Sequence, residues 1–373
     1  MGSWPSWDCS ASSCNGWPNP WGSAMKAAVL YGKEDVRIET VPDPTPGPGE
    51  VVIRVRAATT CGTDLKVWRR GGHARMLTPP ILFGHEAAGE IVALGAGVTG
   101  WQVGDRVVAN NSAPCGQCFY CQRQAFSLCP HLEFNNGTFA EYLKLPASIV
   151  RQNLLPIPES LPFALAALTE PLACVLHGVA RSGFDPAMVA TWPSPPQIVV
   201  LGDGAIGLMF VGVLAQQGAR VLAFGGSNQR LAIATTFGAE QTINHHQCGD
   251  IPAVVKDWTE GRGADIVIEA TGVPEVWETA IACGRPGATI NLFGGCPRET
   301  TIRVDTERLH YEELTLKGVF HNTPSFVRQA LQLIASGTLP FEKLISGQAP
   351  LMEIETVLQA MKARQVIKVA LQP

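Results

Sequence analysis

The stretch IVVLGDGAIGLMF, residues 198–210, joins an apolar run of β-strand character to a glycine-rich turn and then to apolar residues at helical spacing. In its pattern Gly-x-Gly-x-x-Gly, the glycines permit a tight turn and let the backbone approach a pyrophosphate, which then lies on the N-terminus of the helix. The alternative is a tight strand-to-helix turn that binds nothing. In this strand–turn–helix setting the stretch predicts a dinucleotide site, formed by Gly202, Gly204, Ile206 and Gly207.

The alternation of strand and helix continues after this stretch. Strand-like and helical segments take turns between residues 221 and 293, which is the pattern of consecutive βαβ units, so we expect a doubly wound α/β domain with a parallel sheet. Upstream, short strand-like segments between Ala27 and Val92 indicate a β-rich domain. The predicted segments are strands at 221–224, 265–270, 288–293 and 366–371 and helices at 228–237, 274–283, 325–336 and 352–363.

Composition limits the classes of protein to consider. A chain of 373 residues is too long for one ordinary hydrophobic core. At about 150 residues per domain, this length predicts two domains. Hydrophobic residues make up 46% of the chain and charged residues 16%, which is typical of a globular protein. The formal net charge of -4 and the lack of a basic tract argue against a nucleic-acid partner.

The sequence gives no sign of a membrane or secretory protein. We find no run of roughly 20 consecutive apolar residues and no basic region followed by an apolar one at the N-terminus. We therefore expect a cytoplasmic protein with no membrane partner. Residues 1–24 hold four of the nine tryptophans among Ser, Pro, Gly and Asn without a helix or strand period, and we expect them to be an unstructured leader or tag.

Four of the eleven cysteines fall within fifteen residues, in the pattern Cys-x2-Cys-x2-Cys-x7-Cys. Four thiolates on so compact a loop can complete a tetrahedral zinc shell, and a full sulfur shell leaves no position open for chemistry. The alternative is a loop of reduced, unliganded cysteines, but cytosolic proteins have little reason to crowd exposed thiols. The pattern predicts a structural zinc held by Cys115, Cys118, Cys121 and Cys129.

A second group combines Cys61-Gly62-Thr63-Asp64 with Gly84-His85-Glu86 at predicted strand ends. A thiolate, an imidazole and a carboxylate, with water in the remaining position, make a catalytic zinc that polarises a bound alcohol, as removal of a hydride requires. Thr63 offers a hydroxyl to pass the proton outward, and Asp64 offers an acceptor for the ring N–H of His85. Taken singly, a buried Cys or His is more often part of the core, so these residues alone leave both interpretations open.

Together the three groups resemble the zinc-containing medium-chain dehydrogenases, which include alcohol, sorbitol and threonine dehydrogenases. The resemblance runs from about Met25 to Pro373 and rests on Gly84-His85-Glu86-Ala87-Ala88-Gly89 continuing to Gly95, on the spacing of the four cysteines, and on the glycine motif at 202–207. It implies an α/β protein with its active site in a cleft between two domains. The implied segments are a GroES-like β-rich catalytic domain with the zinc lobe at 25–176, a Rossmann domain at 177–320 and a return to the catalytic domain at 321–373.

The resemblance also assigns residues to the metal. It makes Cys61 and His85 ligands of a catalytic zinc, with Glu86 adjacent to the metal and able to exchange with water. Glu170 stands where some relatives have a third cysteine and polyol dehydrogenases have a glutamate, which favours the polyol-like branch. Both carboxylates are candidates for direct ligation, and the family implies two zinc ions per subunit, one catalytic and one structural.

Other implied roles concern the proton and the cofactor. Thr63 matches the hydroxyl that begins the family's proton relay, but Lys66 stands where many relatives carry a histidine. Lys368 falls near the position of a basic residue on the cofactor pyrophosphate. The family further implies a nicotinamide cofactor, a small-molecule alcohol, polyol or carbonyl substrate, and a homodimer or homotetramer.

The choice of cofactor is predicted by the end of the second Rossmann strand, at Phe224-Gly225-Gly226. NAD sites usually place Asp or Glu about 20 residues after the glycine motif, where it binds the ribose 2′-OH and repels a 2′-phosphate. Gly225 leaves room there and removes the like charge, so we predict a preference for NADP, with a shift toward NAD in Gly225→Asp; a permissive site is the alternative. The residues assigned to this end of the cofactor are Gly225, Gly226, Ser227, Asn228 and Arg230.

Three other functions fit parts of the pattern. A zinc-free quinone or enone reductase shares the expected fold, but the ligands at Cys61, His85 and Glu170 argue against it. An NAD-dependent enzyme of the sorbitol or threonine type differs only in the cofactor. From another class, a catalytically silent cofactor-binding sensor or scaffold would keep the fold without turnover. We expect a reversible zinc-dependent alcohol or polyol dehydrogenase.

Overall fold

The computed structural model describes residues 24–73 and 77–373. Residues 1–23 of the predicted leader lie outside the described residues. Ala24, its last residue, already belongs to a strand, so regular structure begins one residue earlier than predicted.

Short strands dominate the first part of the chain, as the pattern predicts. Val51, Ile53 and Val55 are buried whereas Arg56 is exposed, so one face of their strand packs on the core. The strands are β1 (Ala24–Gly32), β2 (Asp35–Pro42), β3 (Val51–Thr59), β4 (Ile81–Leu82), β5 (Ala87–Leu94), β6 (Arg106–Ala109), β7 (Ser112–Ala113), β8 (Glu133–Phe134), β9 (Tyr142–Leu145) and β10 (Leu154–Pro156). The larger sheet has the order β10-β6-β5-β3, with β9 also paired to β3, while β2-β1-β4 and β7-β8 form separate sheets.

A helix interrupts this region, where the pattern predicts strands only. The Cys61 thiol accepts a hydrogen bond from the backbone N–H of Thr63, and the Asp64 carboxylate accepts one from the backbone N–H of Cys61 at 2.8 Å. This reciprocal capping starts a helix directly after β3. The helices up to residue 191 are α1 (Gly62–Arg70), α2 (Ala147–Asn153), α3 (Phe163–Ala166), α4 (Thr169–Arg181) and α5 (Ala187–Thr191), with 3-10 turns at Cys121–Arg123 and Phe126–Leu128.

The middle of the chain forms the predicted doubly wound unit. Its strands are all parallel and have the order β13-β12-β11-β14-β15-β16, in which the chain turns outward in both directions from β11. The strands are β11 (Gln197–Leu201), β12 (Arg220–Gly225), β13 (Gln241–Asn244), β14 (Ala264–Glu269), β15 (Gly284–Leu292) and β16 (Thr315–Gly318). The helices are α6 (Ala205–Gln216), α7 (Asn228–Thr236), α8 (Ile251–Trp258), α9 (Pro274–Cys283) and α10 (Thr306–Tyr311).

The end of the chain returns to the first sheet. The last strand is antiparallel to β3, with Ala370 opposite Thr59 and Leu371 opposite Ala58. The parallel sheet is therefore an insertion between two pieces of one β-rich domain. The final elements are α11 (Pro324–Ala335), β17 (Ile345–Pro350), α12 (Ile354–Lys362) and β18 (Lys368–Gln372), with 3-10 turns at Phe341–Leu344 and Leu351–Glu353.

The helical segment Phe163–Arg181 is long and apolar enough to cross a membrane, with a mean hydropathy of 1.6. Its most apolar window is 67% buried inside the protein. Leu172 and Val175 of α4 belong to the same apolar cluster as Met209 and Phe210 of α6. This packing is that of a core helix, which explains the high hydropathy without a membrane.

The glycine turn between β11 and α6 depends on close backbone contact. Gly202 has a φ of 126°, which L-residues with a side chain rarely adopt. A Cβ on Gly207 would lie 1.9 Å from the carbonyl oxygen of Gly202, so no larger residue fits without moving the turn. Gly204 has a φ of −76° and no atom within 4 Å of the place of a Cβ.

These two glycines give a matched pair of stability variants. We expect Gly207→Ala to lower the free energy of unfolding by about 1–3 kcal/mol or more, because the added methyl overlaps a backbone oxygen. Gly204→Ala should change it by less than about 0.5 kcal/mol. Urea unfolding followed by circular dichroism measures both, and equal losses in the two variants would contradict this account of the turn.

Candidate active site

The residues predicted as a catalytic metal site meet at the ends of two paired strands. Cys61 follows β3 and caps α1, whereas His85 and Glu86 precede β5, the antiparallel neighbour of β3. One ligand atom from each of these three residues lies within 4.8 Å of the other two. A thiolate, an imidazole and a carboxylate are the donors that zinc prefers, at about 2.0–2.3 Å. The donor set therefore fits a zinc ion.

Asp64 fixes the orientation of the His85 ring. The Asp64 Oδ1 and His85 Nδ1 atoms are 2.9 Å apart, and both side chains are buried. Burial lowers the pKa of His85, but the charge and hydrogen bond of Asp64 outweigh it and raise that pKa well above its usual value. With Nδ1 committed to Asp64, Nε2 is the nitrogen left for a metal, and it lies 4.0 Å from Glu86 Oε1.

Glu86 is paired with a buried lysine. The Lys368 ammonium donates to Glu86 Oε2 at 2.7 Å, to Oε1 at 2.9 Å and to the Thr60 carbonyl at 2.6 Å, while the Thr59 hydroxyl also donates to the Glu86 carboxylate. The sequence predicts Lys368 on the cofactor pyrophosphate. The side chain does border the cleft described below, but its ammonium is bound to Glu86 and is 1% exposed.

Glu170 brings a second carboxylate from α4. It is buried, and its contacts are polar but uncharged: the Cys174 thiol at 3.6 Å and the Asn322 amide at 3.4 Å. Burial raises the pKa of Glu170 to about 7. The charge of His85 lowers this pKa, and the charge of Glu86 raises it. Because an ionised carboxylate in such a place needs a cation, Glu170 fits a position beside a metal.

A cluster of buried polar side chains adjoins Glu170 and was not predicted from the sequence. The ligand atoms of Glu170, Cys174 and His321 lie within 4.8 Å of one another. The His321 ring contacts the Ser112 hydroxyl, and Asn110 exchanges amide hydrogen bonds with Asn322 at 3.0 and 3.1 Å. No local motif joins these segments, so their meeting is visible only in the folded chain.

Cys61 of the metal site lines a cleft of about 600 Å³ between the two domains. Its wall contains Cys61 and Thr63 at one end and Arg230 at the other. The predicted cofactor residues that line it are Gly202, Gly204, Ile206, Gly225, Gly226, Arg230 and Lys368.

Three predicted cofactor residues do not line this cleft. Gly207 packs against the backbone of Gly202. The Ser227 hydroxyl caps α7 by accepting from the N–H of Arg230, and the Asn228 side chain accepts from the Asn244 amide at 2.6 Å. In the structure described here, these three residues stabilise the local fold.

Lys66 crosses the cleft from α1. Its ammonium donates to the carbonyl of Thr271 at 3.2 Å and to that of Gly295 at 3.5 Å, both in loops of the parallel sheet. Burial lowers the pKa of Lys66, and the charge of Arg70 adds to that effect. The residue that stands in place of the relatives' histidine therefore links the two domains next to Thr63.

The end of β12 differs from the sequence expectation. Asp203 of the glycine motif turns toward this strand, and its Oδ2 accepts from the N–H groups of Gly226 and Ser227, both at 2.9 Å. A Cβ on Gly225 would lie 2.5 Å from Asp203 Cβ. The expectation that Gly225 leaves this place open and without a negative charge is wrong, because Asp203 fills it. For the same reason Gly225→Asp would clash and cannot test the choice of cofactor.

The four-cysteine lobe also has the geometry of a metal site. Cys115 Sγ is 4.0 Å from Cys121 Sγ, and Cys118 Sγ is 3.8 Å from Cys129 Sγ. All four sulfur atoms lie within 4.8 Å of one another. A tetrahedron with zinc–sulfur bonds of about 2.3 Å has sulfur–sulfur edges of about 3.8 Å. The lobe therefore fits a closed zinc shell.

Comparisons with known proteins agree with this geometry. Residues 47–159 match the family model of the alcohol dehydrogenase GroES-like domain, and residues 205–336 match that of the zinc-binding dehydrogenases. The chain is 30% identical over 342 residues to the sorbitol dehydrogenase of Bacillus subtilis, covering 90% of this chain and 93% of the relative. It is 33% identical over 302 residues to the L-threonine 3-dehydrogenase of Pyrococcus horikoshii, covering 79% and 81%.

A solved structure shows the same fold. A zinc-binding dehydrogenase from Sinorhizobium meliloti, bound to NADP, superimposes with a TM-score of 0.85 at 29% identity and covers 94% of this chain and 100% of that one. The fold predicted from the sequence, a GroES-like domain with a Rossmann domain, is confirmed. The two family matches, the length of the aligned relatives and the donor sets lead to one conclusion: the chain belongs to the zinc-dependent medium-chain dehydrogenases.

Proposed function

We propose that the protein transfers a hydride reversibly between a secondary alcohol or polyol hydroxyl and NADP, with the chemistry at Cys61 and His85. The observation that carries the proposal is one continuous cleft, which joins Cys61 of this donor set to the glycine turn of β11 and α6. A dinucleotide that fills the cleft places its reactive end near Thr63 and its pyrophosphate near the N-terminus of α6.

The metal would be held by Cys61, His85 and a carboxylate, for which Glu86 and Glu170 are the two candidates. When bound, zinc supplies a Lewis acid that makes an alcohol hydroxyl easier to deprotonate. Asp64 keeps His85 in the tautomer that can bind the metal. Thr63 accepts the hydroxyl proton at the cleft wall, and Lys66 holds α1 against the loops of the parallel sheet.

We infer the substrate class from the cluster of buried polar side chains beside Glu170. Hydroxyl, amide and imidazole groups of Ser112, Asn110 and His321 lie beside Glu170. Such groups hydrogen-bond additional hydroxyls, which a polyol offers and a simple apolar alcohol lacks. Turnover on a panel of alcohols and polyols with NADP and NAD tests this proposal, and a panel on which the folded protein is inactive would favour the silent sensor or scaffold.

His85→Ala tests the catalytic metal site. We expect turnover to fall by more than about a hundredfold and bound zinc to fall by one equivalent, since the variant loses a ligand. Binding of NADP, measured by fluorescence titration, should persist because Cys61 and Thr63, rather than His85, line the cleft at this end. His310→Ala, at an exposed position on α10, is the control. Activity within tenfold of wild type would reject the assignment.

Thr63→Val tests the proton relay. The substitution nearly preserves shape but removes the hydroxyl, so kcat should drop by about a hundredfold or more while zinc content stays unchanged. Thr236→Val in α7 is the matched control, since that threonine is exposed and its hydroxyl donates to the Ile233 carbonyl of its own helix. If kcat of Thr63→Val stayed at the wild-type value, another group would have to accept the proton.

We infer that the four-cysteine lobe holds a second, structural zinc. Loss of one sulfur opens the shell, so Cys118→Ser should lose one zinc equivalent and at least about 5 °C of melting temperature. Cys248→Ser, at a cysteine outside the metal-site groups, should lose neither. Metal analysis and a thermal melt measure both properties, and full zinc content with an unchanged melting temperature in Cys118→Ser would disprove the structural zinc.

We further propose a cytoplasmic homodimer or homotetramer. β16 lies at the edge of the parallel sheet and pairs with β15 alone among the described residues. Such an edge presents backbone groups that a second copy of the chain can pair. Light scattering coupled to size-exclusion chromatography reports the oligomeric state, and a monomer at micromolar concentration would contradict the proposal.

A further inference from the structure

The Asp203 carboxylate occupies the place at which NAD-binding Rossmann domains usually put an acid from the second strand. It comes from the glycine motif instead, and the backbone N–H groups of Gly226 and Ser227 hold its Oδ2 at 2.9 Å. The side chain is 5% exposed. Asp203 and Gly225 thus form a steric pair: the acid fits because residue 225 has no side chain.

Two arginines face the other oxygen of Asp203. Arg364 Nη2 donates to Oδ1 at 2.9 Å, and Arg230 Nη1 lies 4.0 Å from the same atom. Arg230 belongs to α7 of the Rossmann domain, whereas Arg364 follows α12 in the segment that returns to the catalytic domain. Both line the cleft. Two guanidinium groups against one carboxylate leave an excess of one positive charge at this end.

The two arginines differ in how firmly they are held. The Arg230 side chain is 12% exposed and donates to the carbonyls of Val366 at 2.6 Å and Arg364 at 3.3 Å, so its position is fixed by backbone. The Arg364 side chain is 54% exposed, and within residues 24–73 and 77–373 its guanidinium hydrogen-bonds Asp203. Arg364 can therefore turn from Asp203 to another anion at small cost, while Arg230 stays in place.

We propose that Asp203 and Arg364 together select between a 2′-hydroxyl and a 2′-phosphate on the adenosine ribose. This inference rests on the proposed function, because it requires that the cleft binds a nicotinamide dinucleotide. With a free ribose, Asp203 accepts from the 2′-hydroxyl. With a 2′-phosphate, Arg364 leaves Asp203 for the phosphate, and Arg230 adds a second guanidinium, which suits phosphate oxygens. The like charge of Asp203 limits the preference that the two arginines create.

Binding of nucleotide fragments tests this selection without zinc or turnover. Adenosine 2′,5′-bisphosphate and 5′-AMP differ only in the 2′-phosphate, and calorimetry gives the ratio of their Kd values for each variant. Asp203→Asn keeps an oxygen for the two N–H groups but removes the charge. We expect it to shift the ratio about tenfold toward the bisphosphate. Arg364→Ala should shift the ratio at least about fivefold toward 5′-AMP.

The control is Arg262→Ala, which removes an exposed arginine paired with Glu260 at 2.9 Å, outside the cleft lining. Its ratio should equal that of wild type. An unchanged ratio in either Asp203→Asn or Arg364→Ala overturns the proposal. If Asp203→Asn fails to fold, Arg364→Ala decides alone, since that side chain is half exposed.

The same titrations separate this inference from the proposed function. A wild-type protein that binds 5′-AMP more tightly than the bisphosphate contradicts the preference for NADP, but the two opposite shifts would still support the selection by Asp203 and Arg364.

Discussion

The pairing of β18 with β3 is the constraint on which the rest of the structure depends. It returns the end of the chain to the first sheet. There the Thr60 N–H donates to the Val369 carbonyl at 3.0 Å, and the Val369 N–H donates to the Thr60 hydroxyl at 3.0 Å. Because of this return, the Rossmann domain is held at two points of one β-rich domain. The cleft between them follows from that connection, as does the position of every residue that reaches across it.

Buried charge at the closed end of the cleft is arranged in pairs. Lys368, which lies in β18, neutralises Glu86, and Asp64, which lies in α1, hydrogen-bonds the His85 ring. A buried ion whose partner is missing costs several kcal/mol, so these pairs constrain each other's positions. Among the described residues, Glu170 hydrogen-bonds the uncharged groups of Cys174 and Asn322, and burial raises its pKa to about 7. A bound divalent cation would supply the positive charge that Glu170 lacks.

The open end of the cleft shows a different arrangement. There the Asp203 carboxylate faces two arginines. Arg230 belongs to the Rossmann domain, and Arg364 belongs to the segment that returns to the catalytic domain. Contacts to a cofactor at this end therefore also affect how the domains are held together. At the middle of the cleft, Lys66 makes a similar connection from α1 to the carbonyls of Thr271 and Gly295. Lys66, Arg230 and Arg364 are thus side chains that reach from one domain to the other along the cleft.

Features that depend on short-range pattern can be predicted from the sequence alone. The glycine spacing at 202–207 predicts the turn because Gly207 must touch the Gly202 carbonyl, and the alternation of valine and isoleucine with Arg54 and Arg56 predicts β3. The four cysteines of the lobe lie close in sequence, so a loop of fifteen residues brings their sulfurs within 4.8 Å without help from distant segments. Helix α1 was missed because its start depends on the capping by Cys61 and Asp64, whose side chains the sequence predicts as metal-site groups.

Which charged residues from distant parts of the chain meet becomes visible in the folded protein. Nothing in the sequence near Gly225 shows that Asp203, from the preceding turn, fills the space beside it, or that Arg364 reaches the same carboxylate. Likewise, the family resemblance places Lys368 near the cofactor pyrophosphate, whereas in the folded protein β18 places its ammonium on Glu86. The physical reason is that electrostatic partners are chosen by proximity and burial after folding, whereas turns, strands and compact metal loops follow from the backbone and side-chain chemistry of neighbouring residues.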